Sequence, residues 1–131
     1  MDKSTQELIR GYLVKAEEKL GVVNRLLAQH DFEDAVSRAY YAAFYAAQAL
    51  LLSEGLESRS HGGLVALIGL HFVKTGKLDK KFGRYLSNLM EDRQQSDYNL
   101  FSGLEKEDAE RSLEEAKAFV AEIRRQLSDY L

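Results

Sequence analysis

Arg93 closes an apolar stripe formed by Phe82, Leu86 and Leu89, at spacings i, i+4, i+7 and i+11. A guanidinium keeps its charge inside a protein, so burying one requires a carboxylate, a phosphate or water beside it. Two readings follow from that position. One is a phosphate or nucleic-acid contact made from a cleft between helices. The other is an ion pair with Asp92, Asp97 or a glutamate of another helix, a role that is often purely structural. A second cationic feature lies between Lys74 and Arg84, where Lys74, Lys77, Lys80, Lys81 and Arg84 face one acid, Asp79. Such a stretch attracts phosphates, most strongly at low salt. It equally describes a solvated turn whose lysines follow a helix C-terminus, where the helix dipole favours cations.

Other chemistries find less support. The three histidines, His30, His61 and His71, sit on different segments, and none forms an i, i+4 pair for a metal. His71 is expected near an apolar face as a hydrogen-bonded core residue, and His61 as a partly exposed first-turn residue. Without cysteine there is no thiolate nucleophile and no cysteine-based zinc site. No local signature marks a Ser/His/Asp triad. Gly62-Gly63 lacks both the spacing and the preceding strand of a phosphate-binding loop. Neither a metal nor a cofactor is expected.

These side chains must be positioned by helices. Ala, Leu, Glu, Lys and Arg supply 65 of the 131 residues, and there is no proline to break a helix. Val, Ile and Thr number only 12, too few to fill a sheet. Ser4-x-x-Glu7 has capping-box spacing and opens a first helix over 4–29, with Leu8, Tyr12, Ala16, Leu20, Val23 and Leu27 in register. Asp31 is placed to cap a second helix running to about Leu52, whose alanines let other backbones approach closely. The spacing predicts a third helix from Ser60, stopped by Gly76, a fourth capped by Asp79, and a fifth over about 105–129. Gly55 ends the second helix, and the stretch from Ser96 to Gly103 reads as a loop. Connections this short suit antiparallel neighbours. The expectation is one all-α domain over residues 1–131, an antiparallel bundle of four to five helices.

The aromatics Tyr40, Tyr41, Phe44 and Tyr45 crowd the second helix and leave it apolar nearly all round. A bundle of this size either buries that surface alone or shares it with a second copy, so a homodimer is one of two expectations. A net charge of −3 argues against coating nucleic acid through global charge, although a local basic patch remains open. The charged first 20 residues hold no signal-peptide core, and the longest apolar run, nine residues from Ala39 to Ala47, is too short to span a bilayer. A soluble, cytoplasmic protein is expected.

Several ordered segments also carry a resemblance. They are Ser37-Arg38-Ala39-Tyr40-Tyr41-Ala42-Ala43-Phe44 with Ala49-Leu50-Leu51, then Ser60-His61-Gly62-Gly63, then His71 through Leu78. Arg93-Gln94-Gln95-Ser96-Asp97-Tyr98 follows, and last the Ala- and Glu-rich stretch from Asp108 to Leu127. Over essentially the whole chain they resemble the HEPN family, in particular its small stand-alone prokaryotic members. The resemblance implies a bundle of four to five helices that commonly dimerises. It also implies a toxin–antitoxin setting in which many members are metal-independent RNases and the usual antitoxin partner is a minimal nucleotidyltransferase. Other members bind nucleotides or serve as interaction modules.

In the RNase members an arginine is followed, typically four to six residues later, by a histidine. Arg93 aligns with the arginine, but Tyr98 stands where the histidine is common, and no histidine follows His71. RNA cleavage through the 2′-hydroxyl needs a proton acceptor, a proton donor and a cation near the phosphate. A phenol titrates near 10, so a tyrosine is a poor base at neutral pH. Three readings result. The first is a nucleotide- or RNA-binding homodimeric module acting with a nucleotidyltransferase, with Arg93, Lys74 and Lys77 as phosphate contacts. The second is an RNase with a variant site of Arg93, Asp97 and Tyr98. The third is a scaffold in which Arg93 is only an ion pair. Tyr98 has a further reading, as the acceptor of a nucleotide from the partner.

Overall fold

The computed structural model describes residues 2–131. Its elements are α1 (Lys3–Ala28), α2 (Phe32–Ser53), α3 (His61–Ile68), α4 (Lys80–Tyr98) and α5 (Lys106–Gln126). The chain continues from α3 into a π-helical turn, Gly69–Val73, and follows α5 with a short 3-10 turn, Ser128–Tyr130. No strand occurs among the described residues. The architecture is the all-α antiparallel bundle that the periodicity predicts.

α2 is the central helix. Ala35, Ala39, Ala42, Ala43, Ala46, Ala47 and Ala49 are all fully buried on it, and α1, α4 and α5 pack around it. Small side chains on several faces allow that three-sided approach. α1 contributes Ile9, Leu13, Ala16, Leu20 and Val23 to the core, and α5 contributes Ala109, Leu113, Ala116, Phe119, Val120 and Ile123. Each large aliphatic side chain taken from water adds roughly 1.5–3 kcal/mol to the drive for this packing.

α4 runs antiparallel to α2. At its end the Ser96 hydroxyl donates to the Glu33 carbonyl, at the start of α2, over 2.5 Å. Lys77, just ahead of α4, pairs with Glu54, just past the end of α2, at 2.8 Å. The stripe on α4 is buried at Leu86, Leu89 and Arg93, which brings the arginine onto the first half of α2.

Several helix ends differ from the expectation. α1 is capped by Asp2, whose carboxylate accepts from the Thr5 N–H at 2.7 Å, rather than by Ser4. Asp31 holds the N-cap position of α2 without a side-chain cap bond. α3 proper is short because the chain widens into the π turn, in which the Lys74 N–H reaches the Gly69 carbonyl. α4 continues through Tyr98 where a loop was expected from Ser96. Nothing in Gln94–Asp97 breaks a helix, and the Ser96 bond to α2 ties that last turn down. α5 stops at Gln126 instead of 129, and the Asp108 carboxylate caps its start by accepting from the Glu105 N–H at 2.9 Å. Gly55 and Gly76 follow their helices at φ 72° and 83°, a conformation that a Cβ disfavours. Among the described residues, no helix is long and apolar enough to cross a membrane.

Candidate functional site

Arg93 is buried, with 5% of its surface exposed. Its guanidinium carbon lies 5.1 Å from the Tyr40 ring centre, 5.9 Å from that of Tyr41 and 5.7 Å from that of Tyr98. Two walls of this aromatic enclosure come from α2 and one from the last turn of α4. Ring faces carry negative potential and so offset part of the cost of desolvating the cation. The carboxylate of Asp97, one turn along α4, stands 3.5 Å from Nη1. That is longer than the roughly 2.7–2.9 Å of a strong charge-assisted hydrogen bond. The buried Nε has no hydrogen-bond acceptor. Burial works against the Arg93 charge, yet the facing Tyr41, Tyr98 and Tyr40 hold its proton more tightly than usual.

The alternative carboxylate partner is engaged elsewhere. Asp92 binds Arg111 at 3.0 Å and accepts from the Ser112 hydroxyl at 3.4 Å. Among the described residues, the carboxylate paired with Arg93 is therefore the solvent-facing Asp97. A buried cation so incompletely paired is a natural seat for a further anion.

Tyr40 also contacts His61, the first residue of α3. Its Nδ1 is 2.6 Å from the Tyr40 hydroxyl oxygen. The imidazole packs against Phe44 at 4.9 Å, Tyr40 at 5.4 Å and Tyr41 at 6.0 Å between ring centres. The local sequence sets that position. Ser60 caps α3 by accepting from the Gly63 N–H at 2.9 Å, and the Ser58 hydroxyl donates to the Ser60 carbonyl at 2.9 Å. Gly63 leaves room for both hydroxyls: a Cβ there would stand 2.6 Å from Ser60 Oγ and 2.8 Å from Ser58 Oγ.

Burial, and then the Arg93 charge, push the His61 pKa below its ordinary 6.5. Burial pushes the Tyr40 phenol well above its ordinary range, although Arg93 opposes the shift. At neutral pH the cluster thus holds a neutral imidazole, a protonated phenol and a permanent cation. At its rim the Arg38 guanidinium lies 5.4 Å over the Tyr41 ring. The ring contacts continue along α2 through Tyr45 to Tyr12 of α1, and Lys15 stands 5.9 Å over Tyr45.

Arg93, Asp97 and Tyr98 thus come together on one helix end. Tyr98 is 76% exposed while its ring flanks the guanidinium. Lys77 does not join them within one chain, because its partner Glu54 lies roughly 20 Å along α2 from Tyr40, at 1.5 Å per residue. Lys74 is exposed in the turn beside Lys77. His61 and Tyr40 are the residues that sequence reasoning missed. The available signal was a tyrosine on an alanine-rich buried helix, since a buried phenol needs a hydrogen-bond partner. His71 lies in the π turn, half-buried rather than in the core, and His30 stacks on Phe32 at 5.7 Å. No group of three metal-ligating side chains occurs among the described residues.

Residues 9–126 match the family described as HEPN domain. A Methanocaldococcus jannaschii protein named "Putative toxin MJ0605" is 35% identical over 131 residues, covering 100% of this chain and 97% of that protein. A UPF0332 protein of Thermotoga maritima is 33% identical over 124 residues, covering 95% of this chain and 94% of the relative. The crystal structure of TT1696 from Thermus thermophilus superimposes with a TM-score of 0.77 at 18% identity, covering 94% of this chain and 98% of that one, a likeness of fold.

Proposed function

The chain belongs to the HEPN domain family, and on that footing we propose that it is a toxin-type module that binds nucleotide or RNA phosphate at Arg93. The observation that carries this reading is the incompletely paired Arg93, buried among three tyrosine rings with its Nε unbonded. Phosphate oxygens would complete its hydrogen bonds, and the neighbouring rings suit stacking by nucleobases. The toxin-type role draws support from the name of the M. jannaschii relative.

The module acts as a homodimer with a nucleotidyltransferase partner. Half-buried Tyr12, Tyr41, Phe44 and Tyr45, with Leu8 and Val14 of α1 53% and 55% exposed, offer an apolar surface for a second copy. Tyr98 offers the partner an accessible acceptor. Its hydroxyl oxygen would bond to the α-phosphorus of a nucleoside triphosphate, pyrophosphate would leave, and the phenol proton would pass to the partner's base. Arg93 alongside would neutralise the new phosphodiester. A second reading, a metal-independent RNase using Arg93, Asp97 and Tyr98, is favoured by their meeting at one helix end.

Fluorescence anisotropy with labelled single-stranded RNA, titrated at rising salt, tests the binding claim. Wild type should bind with an affinity that falls as salt rises. Arg93→Ala should weaken binding about tenfold or more, the scale of losing one charge-assisted contact. Equal binding by a folded Arg93→Ala protein would overturn the assignment.

A further inference from the structure

We infer that copies of this chain join head to tail, the apolar loop at Leu100 and Phe101 of one copy seating in a basic-rimmed groove between α3 and α4 of the next. Neither Arg93 nor the apolar surface of α1 and α2 takes part. The contact is therefore separate from the binding site and from the homodimer.

Leu100 and Phe101 are 86% and 85% exposed, close to Tyr98 at 76%. Single exposed apolar residues are ordinary, whereas a contiguous group marks a contact surface. Side-chain bonds hold the loop in shape. The Asn99 side chain accepts from the Phe101 N–H at 3.0 Å and donates to Gln95 at 2.9 Å. The Ser102 hydroxyl donates to the Glu33 carboxylate at 2.9 Å. A loop fixed in this way loses little freedom on docking. Acids surround it: residues 97–110 carry five carboxylates against one cation, Lys106. Glu105 and Glu107 are exposed and form no ion pair among the described residues.

The groove has the complementary character. Val65 and Ile68 of α3 and Val73 of the π turn give it an apolar lining, with Lys80 and Arg84, one turn apart on α4, beside them. Neither cation has a carboxylate partner among the described residues. Gly69 also lines the groove, and a Cβ there would meet nothing within 4 Å, so the space is open to an incoming side chain. The stretch 74–84 carries five cations against one acid, the reverse of the balance around the loop. No aromatic ring lines the groove, so a nucleobase finds nothing to stack on there. An apolar segment flanked by acids suits it better than a nucleic acid does.

Position makes the contact intermolecular. From Arg84 to Tyr98 α4 rises roughly 21 Å, at 1.5 Å per residue, so a chain cannot fill its own groove. Loop and groove are different surfaces, and a joined pair keeps one of each free. Such a heterologous contact repeats until it closes into a ring or runs on as a filament. It also brings the cations of one copy to the Arg93 end of its neighbour, a juxtaposition that a single chain does not provide.

Analytical ultracentrifugation of the full chain tests this, at loadings up to about 1 mM because a small interface binds weakly. In dilute salt the weight-average mass should rise with concentration beyond that of a dimer. Raising the salt to about 0.5 M should reverse most of the rise. Leu100→Ser with Phe101→Ser, and separately Lys80→Glu with Arg84→Glu, should each hold the mass at that of the monomer or of the dimer formed through α1 and α2. All four positions are exposed, so both proteins should fold, which circular dichroism checks. Gly69→Leu fills the groove from an open position and should give the same loss with no change of charge. An equal mixture of the loop variant and the Lys80/Arg84 variant should associate again, since one keeps a groove and the other a loop. A mass independent of concentration, a rise that the variants retain, or a mixture that stays dissociated would overturn the inference. Single-stranded RNA bound without self-association and lost in the Lys80/Arg84 variant would also overturn it, and make the groove a nucleic-acid contact. A foreign protein held at the groove by chain that does not self-associate would overturn it in favour of that partner.

Discussion

Tyr40 and His61, 21 residues apart in the chain, meet in a 2.6 Å hydrogen bond that joins the buried face of α2 to the first residue of α3. The phenol of Tyr40 is simultaneously a wall of the Arg93 enclosure. One side chain thus couples the cation to the imidazole, and changes at Tyr40 reach both. Tyr40→Phe leaves Nδ1 of a half-buried imidazole without its partner. A loss of about 1 kcal/mol is expected, because water can satisfy part of the ring. Urea denaturation measures it, and no loss would mean that the bond contributes nothing in solution.

His61 also predicts a pH dependence of stability. Its folded pKa lies below the ordinary 6.5, through burial first and Arg93 second. The folded protein therefore binds this proton less readily than the unfolded chain does. The resulting stability is fully present above 6.5 and is lost as pH falls through the lower folded value. Melting curves across that window should show wild type losing more stability on acidification than His61→Asn. Parallel curves would contradict the shift.

Asp97 competes with any bound anion for Arg93. Asp97→Asn removes the carboxylate 3.5 Å from Nη1 and should tighten RNA binding several-fold. Because the substitution takes a carboxylate away from a buried guanidinium, the RNA-free protein should also lose stability, on the order of 1 kcal/mol or more. Anisotropy decides the point. Weakened binding would instead make Asp97 part of the RNA contact.

Gly63 and Gly62 are adjacent and should respond oppositely. Gly63→Ala sets a Cβ 2.6 Å from Ser60 Oγ, so it should cost about 1 kcal/mol, the worth of a helix cap, and disturb His61. Gly62→Ala meets nothing within 4 Å and should stabilise the helix by roughly 0.5–1 kcal/mol. Thermal denaturation of the pair checks the contrast. Equal effects would contradict the described cap.

Crowding along α2 gives a packing test. Ala46→Leu pushes a large side chain into a fully buried position and should cost about 1–3 kcal/mol. Ala118→Leu, on the exposed face of α5, should stay within about 0.5 kcal/mol of wild type. Similar losses at both positions, read from chemical denaturation, would argue against a close-packed α2.

Much of this arrangement is readable from local pattern. The spacing of Phe82, Leu86, Leu89 and Arg93 places the arginine on the core side of α4, and it is buried there. The alanine-rich run predicts the central helix, and Gly55 and Gly76 mark helix ends because only their backbones accept the required φ without cost. What escapes the sequence is long-range. Nothing in periodicity reports that the ring of His61 folds back onto Tyr40, since a flexible-looking loop separates them. Counting charges between Lys74 and Arg84 likewise cannot say that Lys77 faces Glu54 at the far end of α2 from Arg93. The last turn of α4 escapes for a related reason, as its tether is a carbonyl on another helix.

The central claim is that RNA phosphate engages Arg93, and a side-chain NMR titration tests it most directly. The Nε–H of Arg93, shielded and unbonded in the free protein, should give a resolved resonance assignable by its loss in Arg93→Lys. Adding a short single-stranded RNA should shift that resonance together with the ring signals of His61 and Tyr40. Shifts confined to the turn around Lys74 and Lys77, with Arg93 unmoved, would contradict the account and place the RNA at the opposite end of the bundle.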